Sequence, residues 1–398
     1  MIILEFKAKG KKHQYQAIDE AIRTMKFIRN SCIRLWMDKK GTGKYDLSKY
    51  CKVLAKQFPF ANELNSTARQ AAAERAWSSI SRFYDNCQKK VPGKKGFPKF
   101  QKHCRSVEYK QSGWKLSPEK KSITFRDNKG IGKLKLKGTW DLWRFDKKQI
   151  KRVRIVRRAD GYYVQFCVSV DINEKLKPTG NTVGLDLGLK DFYTDSDGNT
   201  QPNPRFYRTG EKRLKFYQRR VSRKNKGSAN RRKAINKLGR AHLRISRQRE
   251  EHAKGLARCV AQSNDLIAYV REACRRQDLR VKNLLKNHCL AKSINDAGWY
   301  QFRKWLEHFG DKYGRITVAV NPAYTSQNCS SCGEVVTKSL LTRTHTCKCG
   351  CQLDRDHNAA INILQRALGT VGHTGTWVVD PNTCGDLASI PSGSDQIE

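Results

Sequence analysis

Acidic residues are scarce in this 398-residue chain: 36 Asp and Glu stand against 80 Lys and Arg, a formal charge of +44. Internal ion pairs cannot neutralise such an excess, so most basic side chains either meet an external polyanion or repel one another. Nucleic acid is the partner that this imbalance points to. Long apolar runs are also lacking. No stretch of 18 or more apolar residues occurs, which excludes a spanning helix, and the opening MIILEFKAKGKK is too short and too quickly charged for a secretory leader. The fourteen cysteines lie singly except between Cys329 and Cys351. That is no secreted disulfide framework, and it fits a reducing cytoplasm and one metal site. What is present is apolar material: a hydrophobic content of 38% suffices for the cores of two or three domains.

The pattern changes along the chain. MIILEFKAK alternates as a strand does, whereas Ile18, Ala21, Ile22, Met25, Ile28, Cys32 and Trp36 recur at helical steps. From Asn65 to about Cys87 an Ala-rich segment opens on Asn/Ser cap candidates and sets Trp77, Ile80 and Phe83 on one stripe, so residues 10–90 read as a helical module. A basic linker punctuated by Pro and Gly follows over 89–102. Short alternating runs over 104–171, broken by turns at Asp127–Gly130 and Ala159–Gly161, predict an antiparallel β-module that the first strand joins. NTVGLDLGLKDFYTDSDGNT predicts two strands about a tight turn. Arg205–Arg249 then predicts two long helices in a hairpin about Gly227. Further on, DLIAYV and RITVAV read as buried strands, with one amphipathic helix starting near Ser293 between them. The last twenty or so residues look irregular.

Three groups of residues carry chemistry. Cys329-Ser-Ser-Cys332 and Cys347-Lys-Cys349-Gly-Cys351 are separated by fourteen residues, and two such tight turns present four thiolates to one structural Zn²⁺. The fourth sulfur is Cys349 or Cys351. Cys349 is preferred because Gly350 follows it as Gly333 follows Cys332. The second group is acidic: Asp186 lies within an apolar strand where a lone carboxylate is costly, and Asp354 and Asp356 precede a helix that begins near Asn358. Asp354 has an equal claim as a helix cap. Asp186 and Asp356, with a βββαβα-like element order, point to a shared Mg²⁺ site for phosphodiester hydrolysis. The third group is the basic hairpin, with eighteen Lys and Arg and the single acid Glu211 between Arg205 and Arg249. Arg219, Arg220, Arg223, Lys224, Arg231 and Arg232, with Lys99 of the linker, are its phosphate-contacting candidates. Phe97, Phe100, Trp114, Phe206 and Tyr207 are candidate base-stacking aromatics, though each has a competing place in a core.

GLDLGLKDF, DLRVKNLLKNHCLAKSINDAGW, NPAYTSQNCSSCG and LDRDHNAAINIL, in this order and at these distances, resemble the TnpB proteins of IS200/IS605-type transposons, relatives of the small type V CRISPR effectors. The resemblance runs from the first strand to about residue 368. It implies an α+β multidomain protein: a wedge β-barrel (1–10 and 101–178) interrupted by a helical recognition module (11–100), then an RNase H-like, RuvC-type α/β nuclease domain (179–322 and 353–370) with an inserted zinc finger (323–352), and a tail (371–398). It further implies an RNA-guided DNA endonuclease. The guide RNA would fill a basic cleft, and a short motif beside the double-stranded DNA target would be read by the N-terminal lobe near Asn65, Ser66 and Gln70. Monomer and dimer both stay open.

The family pattern asks for three acids to hold Mg²⁺, as two ions. Asp186 matches the first and Asp356 the third. The second is a Glu just before a DL-x-VKN segment, and here Gln277 stands there after an apparent insertion of about seven residues. Glu272 is the preferred replacement and Asp278 a weaker one. With Gln277 in the site instead, the protein would bind DNA without cutting it.

Overall fold

Alternating apolar residues on short strands build the first half of the molecule. The computed structural model describes residues 2–170, 174–270, 291–339 and 342–372, within two units, Met1–Asp171 and Ile172–Glu398. In the first unit, strand β1 (Ile2–Lys9) is followed by helices α1 (Lys12–Asp38), α2 (Lys44–Gln57), α3 (Pro59–Asn62) and α4 (Ser66–Gln88). Six strands complete it: β2 (Ser106–Lys110), β3 (Trp114–Leu116), β4 (Ser122–Phe125), β5 (Gly132–Lys137), β6 (Ile150–Arg158) and β7 (Gly161–Val168). They form one antiparallel sheet in the order β2-β6-β7-β1-β5-β4-β3, which β1 joins as expected, between β7 and β5. Among the described residues no ladder joins β2 to β3, so the expected wedge β-barrel is an open half-barrel.

One core ties the helices to this sheet. Ile18, Met25 and Ile28 of α1 meet Val107, Tyr109 and Phe166 of the strands. The expected stripe of α4 is kept at Ile80, which is fully buried, and is extended by the buried Ala68, Ala72 and Ala76, small enough to let backbones approach. Trp77 is partly buried beside them, and Phe83 packs in a separate aromatic group with Trp36 and Phe97 at 6.2 and 5.3 Å. Trp114 is a core residue, whereas Phe97 and Phe100 are exposed.

In the second unit β8 (Thr182–Asp186), β9 (Asp191–Asp195) and β10 (Thr200–Pro202) lead into α5 (Phe206–Ser222) and α6 (Ala229–Ser263). Then come β11 (Leu266–Val270), α7 (Ala291–Ala297), α8 (Trp299–Tyr313), β12 (Ile316–Val320), the ribbon β13 (Thr344–Thr346) and β14 (Gln352–Asp354), and α9 (Arg355–Gly372). The five-stranded sheet has the order β10-β9-β8-β11-β12, with β8, β11 and β12 parallel and the β8–β10 segment antiparallel. Strand β11 is buried along its whole length. Its period of two sends Ile267 and Tyr269 into a core with Phe302, Leu306 and Ala257, and Leu266, Ala268 and Val270 into another with Ile363 and Ala367. Helices thus cover both faces, as a parallel strand requires.

Two boundaries differ from expectation. The helix predicted from Ser293 is two helices, α7 and α8, broken where Gly298 takes a φ of +69°. The 182–202 segment adds a third strand, β10. No helix among the described residues is long and apolar enough to cross a membrane.

Glu108 is a buried carboxylate in the first core. Burial opposes its ionisation, but Arg154, Arg75 and Arg152, at 2.8, 3.1 and 2.9 Å, outweigh it and hold its pKa down at about 2. A carboxyl depressed in the folded state adds stability that is complete above pH 4.5 and is lost as pH falls toward 2. Glu108→Gln is expected to cost about 3 kcal/mol at pH 7 and to flatten stability between pH 4.5 and 2, as measured by urea unfolding across that range.

Candidate active site and metal centre

A glycine brings the acids together. An added Cβ on Gly184, in the middle of β8, would stand 2.2 Å from the Ala360 carbonyl oxygen and 2.8 Å from the Leu364 amide nitrogen, both on α9. Only glycine permits strand and helix backbones to lie this close. Two residues further along β8 is Asp186, and one turn before Ala360 on α9 is Asp356. The two carboxyls interact. Burial is the main cause that pushes Asp186 up to about 7, Asp356 adds to it, and Arg355 with the Leu187 amide opposes it. Asp356 itself faces Arg343 at 3.5 Å and Arg355 at 3.8 Å. A half-buried carboxyl beside a second one, with oxygen donors on both, is a donor set suited to a hard divalent cation such as Mg²⁺.

Asp354 does other work. Its Oδ1 accepts the amide N–H groups of Asp356 at 2.8 Å and His357 at 3.4 Å, which caps α9, so the helix starts at Arg355 rather than Asn358. Glu272, Gln277 and Asp278 lie outside the described residues.

The cysteines form a second centre. The sulfurs of Cys329, Cys332, Cys347 and Cys349 all lie within 4.8 Å of one another, with Cys329 to Cys349 at 3.6 Å and Cys332 to Cys347 at 3.5 Å. A tetrahedral Zn²⁺ with bonds of about 2.3 Å needs sulfurs about 3.8 Å apart, so the set fits the ion. Cys329 and Cys332 share one turn and Cys347 and Cys349 another: Gly333 donates to the Cys329 carbonyl and Gly350 to that of Cys347, with φ of +78° and +87° at the two glycines. Cys351 instead lies with His345 and Cys329.

Helix α9 also carries the knuckle. Asn358, fully buried, accepts the Ser330 amide at 3.0 Å and donates to the Asn328 carbonyl at 2.8 Å, and Asn362 donates to the Thr325 and Asn328 carbonyls at 2.9 and 2.8 Å. Sequence reading passed over both asparagines. Their signal was an i, i+4 polar pair flanking the buried Ala359 and Ala360. It also passed over Asp296, buried on α7, which accepts the first amides of α5 (Tyr207 at 2.8 Å) and pairs with Arg249 of α6 at 2.7 Å.

The basic hairpin turns at residues 223–228, with Gly227 at a φ of +85°. Arg219, Arg220, Arg223, Lys224 and Arg232 are exposed on it. Arg231 is half-buried and donates to the Val221 and Lys224 carbonyls at 2.9 and 2.8 Å, where it staples the turn. In the first unit Lys99 and Ser66 are exposed. Asn65 caps α4, accepting the Thr67 amide at 2.9 Å and donating to the Arg126 carbonyl, and Gln70 accepts from Lys110 at 3.4 Å.

Two acids on a helix-covered mixed sheet, a four-thiolate knuckle held to the same helix and a strongly basic helical hairpin are the features that the comparisons with known proteins bear on. Residues 165–287 match the family model OrfB_IS605, described as "Probable transposase", and 299–363 match the Cas12f1-like TNB domain. A Streptomyces pristinaespiralis protein named "Putative RNA-guided DNA endonuclease" is 38% identical over 218 residues, 54% of this chain, and the chain spans about half of that relative, 52%. InsQ of Escherichia coli (strain K12), named likewise, is 27% identical over 315 residues, 73% of each protein. A Cas12f1 chain solved by cryo-EM with sgRNA and target DNA shares the fold at a TM-score of 0.51 and 13% identity, over 88% of this chain and 81% of that one. The chain is thus similar to RNA-guided endonucleases of transposon type over its central and C-terminal parts.

Gly184→Ala is expected to cost about 2–3 kcal/mol, because the helix backbone must give way. Gly255→Ala, in α6 with nothing within 4 Å of an added Cβ, is expected to be neutral or to stabilise by about 0.5–1 kcal/mol. Thermal unfolding of the two variants beside the parent checks both.

Proposed function

We propose that this protein is an RNA-guided DNA endonuclease that binds a transposon-derived guide RNA, recognises a short motif next to its target and hydrolyses DNA phosphodiester bonds. The single observation that carries this reading is the approach of Asp186 to Asp356 across the Gly184–Ala360 contact, in a chain of charge +44. The names of the Streptomyces and Escherichia relatives support it. In this reading the five-stranded unit is the RuvC-like nuclease domain (179–322 and 353–370), residues 323–352 are the zinc-finger target-binding segment, and the half-barrel with its helices is the wedge and recognition lobe. The protein would act in a prokaryotic cytoplasm or nucleoid.

Asp186, Asp356 and, in this proposal, Glu272 hold Mg²⁺. Mg²⁺ held by these carboxyls would supply charge neutralisation at the scissile phosphate and polarisation of a water. Asp186 must give up its proton to take part, because burial and Asp356 hold its carboxyl protonated to about pH 7 in the ion's absence. The exposed guanidinium and ammonium groups of the hairpin bind phosphates and make nucleic-acid affinity fall steeply with salt. Base pairing reads the sequence. Asn65 and Gln70 already serve the protein's own structure, which leaves Ser66 and Lys99 the freer candidates for motif contacts.

A second reading, a nuclease-deficient RNA-guided DNA-binding protein or repressor, draws on Gln277 at the position where the family carries Glu. The protein purified with its co-expressed RNA and offered plasmids with a randomised motif beside the target, in Mg²⁺, separates the two. Cleavage that drops at least about a hundredfold in Asp186→Ala, Asp356→Ala and Glu272→Ala, with guided binding kept, is expected. Tight guided binding without cleavage, and cleavage gained by Gln277→Glu, establishes the second reading instead.

A further inference from the structure

We infer that the zinc finger holds a second metal position, built by Cys329, His345 and Cys351 and fused to the four-thiolate centre through the Cys329 sulfur. The finger carries five cysteines where a tetrahedral ion needs four. The structure sorts them into two sets: Cys329, Cys332, Cys347 and Cys349 in one, and Cys329, His345 and Cys351 in the other, the ligand atoms of each set lying within 4.8 Å of one another.

His345 is the independent observation. It is fully buried, and its Nε2 has no hydrogen-bond partner. A buried polar atom left in that state costs about 1–3 kcal/mol. The other ring nitrogen, Nδ1, meets Lys338 Nζ, which fixes the imidazole so that Nε2 is the atom left for Cys329 and Cys351. The ribbon supplies the rest of the geometry. His345 pairs with Leu353 in the β13–β14 ladder, and the Cys347 amide donates to the Cys351 carbonyl at 2.9 Å, which holds Cys351 at the inner end of the turn.

Two thiolates and an imidazole suit a borderline or soft divalent ion such as Zn²⁺, Co²⁺ or Cd²⁺, with one position open. The Cys329 thiolate has lone pairs for both ions. Capture of the second ion breaks the Cys351 S–H bond and the Nε2–H bond. Lys338 passes a proton to Nδ1 and becomes the neutral acceptor of Nδ1–H, so two protons leave to solvent as the Cys351 sulfur and Nε2 bond the ion. No electron is transferred.

The inference rests on the four-cysteine zinc reading, and one experiment tells the two apart. The reduced full-length chain is stripped of metal, loaded with Cd²⁺, passed through a weak chelator and counted for ions per chain, beside Cys351→Ser, His345→Ala and Cys349→Ser. The expected result is one ion fewer than in the parent in Cys351→Ser and in His345→Ala, which lose the second position, and one ion fewer in Cys349→Ser, which loses the four-thiolate one. Cys351→Ser changes one atom, so it keeps the comparison sound should His345→Ala unfold. Equal counts in the parent, Cys351→Ser and His345→Ala overturn the second position and leave His345 as an N–H donor to the Cys329 thiolate. A count that Cys349→Ser does not change sinks the four-cysteine reading itself.

Discussion

Strand β8 and helix α9 touch backbone to backbone at Gly184 and Ala360, and the second unit is arranged around that contact. Any side chain at position 184 would meet the Ala360 carbonyl at 2.2 Å. Because the helix lies so close, its first turn delivers Asp356 to the end of β8, where Asp186 leaves the apolar core of Val183 and Leu185. Asp186 is thereby held where burial and the neighbouring Asp356 raise the cost of ionising it. Folded proteins tolerate such a pairing where a cation or a proton is part of the function.

The same helix serves the finger. Asp354 caps it, Asp356 turns to the acids, and Asn358 and Asn362 hold the loop that leads into Cys329 and Cys332. Loss of the knuckle would therefore reach α9 through its asparagines, and so the register of Asp356. A metal ion held by the four cysteines would then be more than a local staple, because it would fix one side of the element that carries Asp356. The basic hairpin has its own lock in Asp296, which satisfies the orphan amides at the start of α5 while neutralising Arg249.

Much of this was legible in the residues. Period-two and period-3.6 patterns gave the strands and helices because their buried faces are apolar, and the αL turns at Gly227, Gly333 and Gly350 fall where glycine stood after helix or cysteine signals. What was missed was mostly polar and tertiary. Gly298 sits inside an unbroken amphipathic pattern, so nothing local announced the break between α7 and α8. Asp296, Asn358 and Asn362 look like surface residues until a distant loop or helix end supplies their partners. Arg231 looked like one more phosphate contact, yet its guanidinium is taken by the hairpin's own carbonyls.

The central claim is that Asp186 and Asp356 form a hard-cation site. Mn²⁺ binding followed by electron paramagnetic resonance, on the RNA-bound protein at pH 7.5 and without DNA, measures it directly. The account predicts saturable Mn²⁺ binding that Mg²⁺ competes away and that either Asp186→Ala or Asp356→Ala weakens at least about tenfold. Mn²⁺ affinity unchanged in both variants would contradict it.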